Sequence, residues 1–417
     1  SELSMKNNFL SDIISRGYFH QCTDKVQLEK VLNSGSLKAY IGFDCTAESI
    51  HVGSLLQIMV LRLLQKHGHQ PIVLLGGGTT LIGDPSGKDA TRKILNEKTI
   101  NDNIRKIKDT FVKLLDFKNK KTEPLFVNNY DWLSKLKYID FLRDVGKHFT
   151  INKMLSFDSV KLRLEREQSL SYMEFNYMIL QAYDFFQLNK QLNCVLQIGG
   201  SDQWGNIING VELIRKINKK ESYGLTTPLI TLSSGTKMGK TEKGAIWLNE
   251  NLLSSYDYWQ FWRNTDDTDV ERFLRFFTEI EISEIKKLIE NEKNINHLKI
   301  LLANEATSIL HGKEAANNAE KTARDTFEKG GIGKNLPEIK MDKKNIEKGI
   351  NILDLISSNN IMNSKSEARR AIKDNAIKVN DELISDEKRN IDLRDLTEDN
   401  LIKISYGKKK HYIIKAT

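Results

Sequence analysis

Three short stretches carry side chains whose types and spacing suit phosphate and phenol chemistry. In AESIHVGSLLQI, residues 47–58, His51 and Gly53 stand two apart where an extended run gives way to an apolar helix. A helix start offers unpaired backbone N–H groups and the positive end of a dipole. An imidazole adds a donor, and glycine lets a flat base or ribose approach the backbone. In LSSGTKMGKTEKG, residues 232–244, Lys237 and Lys240 are three apart with Thr241 next. Such a loop, folded over a triphosphate, would present two ammonium groups and a hydroxyl to it. In YMILQAYD, Tyr177, Gln181 and Asp184 follow at spacings of four and three, so one helix face holds all three. A carboxylate at Asp184 can accept a hydrogen bond from a phenol, and Tyr40 on an earlier strand can reach the same group.

Two glycine-rich runs fail the spacing tests for other nucleotide sites. In GDPSGKD the first glycine of a P-loop would fall at Ile82, and Asp89 stands where Ser or Thr should bind magnesium. In GGGTTLIG, Leu81 occupies the third glycine position of the dinucleotide fingerprint. A P-loop ATPase and a dehydrogenase are thereby disfavoured.

The elements that must position these groups are legible in the apolar periodicity. KAYIGF, a periodic helix from Leu55 closed by Gly68, and PIVLL form a βαβ unit, which requires a parallel sheet. PLFVNN and NCVLQIGG read as further strands, separated by charged helical pattern, and the sheet domain is expected over residues 5–230, with the four residues before Met5 set aside. Residues 231–247 form the Lys-rich loop, and 248–328 read as amphipathic helices. Residues 329–344 read as a Gly-, Lys- and Pro-containing linker, and 345–417 as a small α+β module. The fold class is therefore α/β with a helical and an α+β part following.

At 417 residues the chain is too long for one ordinary core, and 63 Lys and Arg against 55 acidic residues, a formal charge of +8, favour a polyanionic partner. No run of about 18 apolar residues suggests a membrane span. Cys22, Cys45 and Cys194 share no metal-ligand spacing, and their odd number argues against a disulfide framework, so a reducing compartment is expected.

HVGS and KMGKT resemble HIGH and KMSKS, the two signatures of the class I aminoacyl-tRNA synthetases. More specifically, the chain resembles the bacterial and organellar tyrosyl-tRNA synthetases through YIGFDCTAESIHVGS, LIGDPSGKDATR, NNYDW, YMILQAYD, QIGGSDQWGNI and KMGKT, in family order over nearly the whole length. There are two departures: Ser54 stands at the second histidine of HIGH, and Gly239 at the first serine of KMSKS. The resemblance implies a Rossmann-like catalytic domain and a two-step reaction. Tyrosine first attacks the α-phosphorus of ATP to give tyrosyl-adenylate, then passes to the terminal adenosine of tRNA(Tyr).

It further implies that His51, Lys88, Arg92, Lys237, Lys240 and Thr241 stabilise phosphate charge, with Mg²⁺ on the pyrophosphate and no metal ligated by the protein itself. Tyr40, Asp44, Asp84, Tyr177, Gln181, Asp184 and Gln203 would hold tyrosine. Gly42, Thr46, His51, Gly53, Ser54, Gly200, Asp202 and Lys240 would hold ATP. In the last module, SKSEARRAI resembles a ribosomal small-subunit protein, which makes Lys365, Arg369, Arg370 and Lys373 the expected RNA contacts. A cytoplasmic homodimer is expected, or an organellar one, with no membrane or DNA partner. The alternatives are a tryptophanyl homologue, and a synthetase-derived RNA-binding or splicing protein.

Overall fold

Strands buried on both faces need apolar residues throughout, and the two central ones comply: Ala39 to Ile41 and Phe43 of the first are buried, as is every residue from Pro71 to Leu75 of the second. The computed structural model describes residues 8–83, 94–241, 244–329, 337–397, 400–408 and 410–417. It divides into two units between Leu253 and Ser254.

The first unit is built on β1 (Gln21–Cys22), β2 (Lys38–Phe43), β3 (Gln70–Leu75), β4 (Leu125–Asn128), β5 (Cys194–Gly200) and β6 (Tyr223–Thr227), in the order β1-β6-β5-β2-β3-β4. The last five run parallel, while β1 is antiparallel to β6. Helix α1 (Leu55–Lys66) joins β2 to β3 and ends before Gly68, whose φ of +82° suits a residue without a Cβ. Helix α2 (Gly77–Ile82) follows β3, α3 (Tyr177–Leu192) leads into β5, and α4 (Trp204–Asn218) joins β5 to β6. From β2 the chain moves outward to β3 and β4, whereas β5 and β6 build the other side. The strand order therefore reverses between β2 and β5, where the carboxyl ends of parallel strands leave a crevice.

The entry to α3 is held by a buried ion pair. Arg163 Nη1 lies 3.2 Å from Glu174 Oε2 with both side chains essentially inaccessible to solvent. Arg163 Nε also donates to the Ser169 carbonyl at 3.1 Å, and Ser171 with Glu174 forms a capping box. This clamp sets where Tyr177 begins the helix.

In the second unit, helices Ser255–Arg263, Val270–Phe277, Ile282–Asn291, Ile295–His311 and Lys313–Lys329 gather around Trp259, Trp262, Phe273 and Phe277. Five strands then form a second sheet in the order Glu382–Leu383, Ile377–Val379, Leu401–Tyr406, Lys410–Ala416 and Glu338–Met341. The last of these lies within residues 329–344 and corrects the expectation of a linker there for residues 338–341. Glu338–Met341 pairs in parallel with Lys410–Ala416, and Ile339 and Met341 pack on the module's core, so alternation overrides the loop-like composition. Helices and module are tied together by Asn294 Nδ2 donating to the Leu396 carbonyl at 2.6 Å, and by Asp267, which takes both Lys299 (2.7 Å) and Arg394 (3.3 Å).

Candidate active site

A cleft of about 620 Å³ opens at the carboxyl ends of β2, β3 and β5. At its floor Asp184, 2% exposed, is fixed by two donors: Asn129 Nδ2 to Oδ2 at 2.9 Å and Trp132 Nε1 to Oδ1 at 2.7 Å. Asn129 is itself held, accepting from the Gly78 amide at 2.8 Å and donating to Thr79 Oγ1 at 2.9 Å. Its amide orientation is thereby determined, and both Asp184 oxygens face N–H groups. Tyr40, 1% exposed, packs edge-on against Phe185 with centroids 5.4 Å apart, and its buried hydroxyl has no hydrogen-bond partner among the described residues. Burial pushes the Asp184 carboxyl up to about 7, against the downward pull of Asn129 and Trp132. Burial, and secondly Asp184, raise the Tyr40 phenol well above its ordinary range, so it stays a donor. A carboxylate acceptor and an unpaired phenol donor thus line one cavity.

Tyr177, Gln181 and Gln203 line the neighbouring wall together with Asp44. Asn206 Nδ2 donates to Gln181 Oε1 at 2.9 Å and to Gln203 Oε1 at 3.2 Å, which locks the two carboxamides relative to each other. Asp84 lies outside the described residues.

The opposite end brings the two Gly-containing segments into contact. Residue 51 forms an antiparallel bridge with Trp247, the Val52 amide donates to the Ile246 carbonyl at 2.9 Å, and the Leu248 amide to the Ile50 carbonyl at 3.0 Å. The expectation of free amides at the helix start is corrected here. The Val52 amide is taken by Ile246, the Gly53 amide by His51 Nδ1 (2.9 Å) and the Ser54 amide by the His51 carbonyl (3.0 Å). Accepting at Nδ1 is compatible with the neutral tautomer that carries its proton on Nε2.

The glycines are also explained by protein contacts rather than by a base or ribose. A Cβ on Gly53 would lie 2.5 Å from His51 Cε1 and 2.9 Å from the Met238 carbonyl oxygen. At Gly239, with φ +136°, a Cβ would meet the same imidazole carbon at 2.7 Å, which accounts for glycine where the family signature has serine.

Lys240 lines the cleft with His51, as do Gly42, Thr46, Gly53, Ser54, Gly200 and Asp202. Lys237 and Thr241 do not. Lys237 is exposed and bridged to Thr231, and Thr241 Oγ1 donates to the Gly244 carbonyl at 3.5 Å. Lys88 and Arg92 lie outside the described residues. Among the described residues no group of three or more His, Cys, Asp or Glu side chains is placed to hold a metal ion.

In the second unit Lys365, Arg369, Arg370 and Lys373 are all exposed on helix Lys365–Lys373. Lys365 is engaged by Asp354 at 2.5 Å and Arg369 by Glu387 at 2.9 Å, so two of the four expected cations already face carboxylates.

Residue-by-residue reading missed Asn129, Trp132 and Asn206, which act through Asp184, Gln181 and Gln203 rather than at a recognisable spacing. NNYDW and the GN of QIGGSDQWGNI contain them, but only as text shared with a family.

Residues 32–328 match the family model of the class I tRNA synthetases (W and Y). Residues 326–414 match that of the Tyrosine--tRNA ligase SYY-like C-terminal domain. The chain belongs to the tyrosine–tRNA ligase family of these synthetases. It is 63% identical over 405 residues to a Tyrosine--tRNA ligase of Pelagibacter ubique, spanning 97% of this chain and 98% of the relative. It is 51% identical over 413 residues to one of Mesorhizobium japonicum, spanning 99% of each. The crystal structure of a C-terminally truncated Aspergillus nidulans mitochondrial tyrosyl-tRNA synthetase superposes with a TM-score of 0.70 at 31% identity, covering 78% of this chain and 95% of that one.

Proposed function

We propose that the chain is a tyrosine–tRNA ligase that forms tyrosyl-adenylate from tyrosine and ATP and transfers the tyrosyl group to tRNA(Tyr). The observation that carries this reading is Asp184, fixed by two N–H donors, beside the unpaired Tyr40 hydroxyl in the cleft that also holds His51 and Lys240. A phenol satisfies both groups at once, donating to Asp184 and accepting from Tyr40. Phenylalanine offers neither group a partner, and an indole N–H can answer Asp184 but offers no acceptor to Tyr40.

Tyr177, Gln181, Asp44 and Gln203 face the α-amino end, which directs the substrate carboxylate toward the nucleotide side. That carboxylate is ionised near neutral pH and needs no general base. It attacks the α-phosphorus, pyrophosphate leaves, and the protein contributes alignment and positive charge through His51 Nε2–H and the Lys240 ammonium. Asp44 and Asp202 line the cleft and would be the carboxylates that help hold Mg²⁺ with ATP, where the ion would neutralise charge on the pyrophosphate. In the second step a ribose hydroxyl of the terminal tRNA adenosine attacks the activated carbonyl and AMP leaves.

Tyrosine binding should follow the Asp184 titration. The ionised carboxylate is the form that accepts from the phenol, and burial raises its pKa to about 7. Affinity is therefore constant above that pH and falls below it by up to about tenfold per unit. Tyrosine titrations between about pH 8 and about pH 6 check this, and a flat dissociation constant would contradict it.

Residues 5–230 with the loop 231–247 carry activation in this reading and 345–417 hold tRNA. Arg370 and Lys373 are the cations of the basic helix for which no carboxylate partner is seen among the described residues. Replacing both with alanine is expected to raise KM for tRNA about tenfold and to lower the salt slope of tRNA binding by about two, with amino-acid activation unchanged. An unchanged salt slope would remove them from the interface.

The enzyme acts as a homodimer in the bacterial cytoplasm. Exposed Tyr138, Ile139, Ile151 and Tyr172 between β4 and β5 supply apolar surface for a second copy. Among the described residues no helix is long and apolar enough to cross a membrane. The test of function is charging of tRNA(Tyr): the purified chain should attach labelled tyrosine and neither phenylalanine nor tryptophan, and failure with tyrosine would refute the assignment.

A further inference from the structure

The buried ion pair ahead of α3 is poorly explained as a source of stability. The side chains of Arg163 and Glu174 are 0% and 1% exposed, and charges withdrawn from water to that degree gain little over well-packed apolar residues of similar volume. What a guanidinium and a carboxylate supply instead is fixed geometry. Arg163 Nη1 donates to Glu174 Oε2 at 3.2 Å and Nη2 to Oε1 at 3.4 Å, while Nε and Nη2 both reach the Ser169 carbonyl. Glu174 Oε1 also accepts from the Ser171 hydroxyl at 3.2 Å and from its amide at 3.4 Å. The chain from 163 to 174 is thereby closed on itself.

What this closure holds is the approach to the cleft. The turn Tyr172–Phe175 is separated from α3 by Asn176 alone, whose φ of −75° and ψ of −10° are helical, and Asn176 Nδ2 donates back to the Tyr172 carbonyl at 2.7 Å. The helical path is continuous, so residues 174, 177, 181 and 184, at spacings of three, four and three, share one stripe. Tyr177, Gln181 and Asp184 line the cleft. The far end of the stripe, Asp184, is fixed by Asn129 and Trp132, and the near end, Glu174, by Arg163.

We propose that Arg163 and Glu174 are positioning residues for tyrosine activation. Their pairing sets the first turn of α3, and with it the placement of Tyr177 and Gln181 against the substrate ammonium, while Asp184 sets the phenol end separately. This rests on the tyrosine–tRNA ligase reading and deepens it by assigning the two ends of the amino acid to two independent supports.

The test replaces both partners in the full chain, Arg163→Met with Glu174→Met, because removing one alone would leave a buried charge unanswered whatever the pair's role. Methionine keeps length and helix propensity, and the thermal midpoint is expected to stay at or above that of the unsubstituted chain. In tyrosine-dependent pyrophosphate exchange, KM for tyrosine should rise about tenfold with KM for ATP unchanged. Competitive inhibitors then separate the ends of the substrate. Tyrosinol, which carries phenol and ammonium, should bind about tenfold more weakly, whereas 3-(4-hydroxyphenyl)propionate, which lacks the ammonium, should bind as before. An unchanged KM for tyrosine, or equal weakening of both inhibitors, would overturn the proposal, the latter by showing a general distortion of the cleft. Should the double variant not fold, Glu174→Gln, which keeps size and an acceptor for Ser171 but breaks the fork, decides on the same inhibitors. Selective weakening of tyrosinol supports the role, and unselective weakening or none overturns it. Absence of tyrosine-dependent exchange by the unsubstituted chain would instead remove the underlying function, and the proposal with it.

Discussion

Asp184→Ala should collapse the preference for tyrosine over phenylalanine, with tyrosine-dependent kcat/KM falling by more than about 10³ and phenylalanine use almost unaffected. The physical reason is asymmetric. In the native cleft phenylalanine gives neither Asp184 nor the Tyr40 hydroxyl a partner in a dry site, whereas after substitution the tyrosine hydroxyl, though it still accepts from Tyr40, has no acceptor for its own proton. A discrimination of about 10⁵ without editing is the known behaviour of tyrosine-selective synthetases, the standard case of this effect, and is carried over here rather than calculated from the cleft. Alanine also orphans the Asn129 and Trp132 N–H groups, each at a cost of about 1–3 kcal/mol, so the variant should be less stable as well. Amino-acid-dependent exchange with tyrosine and with phenylalanine measures the ratio, and a preserved preference would show that selectivity resides elsewhere.

Lys240→Ala should slow adenylate formation by about 10²–10³ while tyrosine affinity stays the same. Lys240 lines the cleft, remote in chain from Tyr177, Gln181 and Asp184, and in the proposed mechanism its ammonium answers charge that grows on the departing pyrophosphate. Contacts of that kind act on the rate rather than on substrate binding. Single-turnover kinetics with a separate tyrosine titration distinguishes the two, and a wild-type rate with weakened tyrosine binding would contradict the role.

The parallel sheet was legible because β2, β3 and β5 are short apolar runs ending in Asp, Gly or paired Gly, and the intervening helix from Leu55 keeps its period. β1, two residues long and antiparallel, carries no such pattern, and it exists only because β6 offers it an edge. The site was legible where chemistry and spacing coincide, as for Tyr177, Gln181 and Asp184 on one face of α3. It was not legible where a group acts through another. Asn129 and Trp132 reach Asp184 from the chain just after β4, 55 and 52 residues away, and nothing local marks them as its donors. The HVGS segment shows the limit in the other direction. His51 and Gly53 do line the cleft, yet the helix-start amides are consumed by His51 itself and by the strand-like pairing with Ile246, a contact between segments nearly two hundred residues apart that only folding creates.

The account rests on one cavity in which a phenol-accepting carboxylate and phosphate-facing cations serve a single reaction. The most direct measurement is amino-acid-dependent exchange of labelled pyrophosphate into ATP by the purified chain. Rapid exchange with tyrosine and none with phenylalanine or tryptophan at equal concentration is predicted, whereas no exchange with tyrosine, or equal exchange with tryptophan, would contradict it.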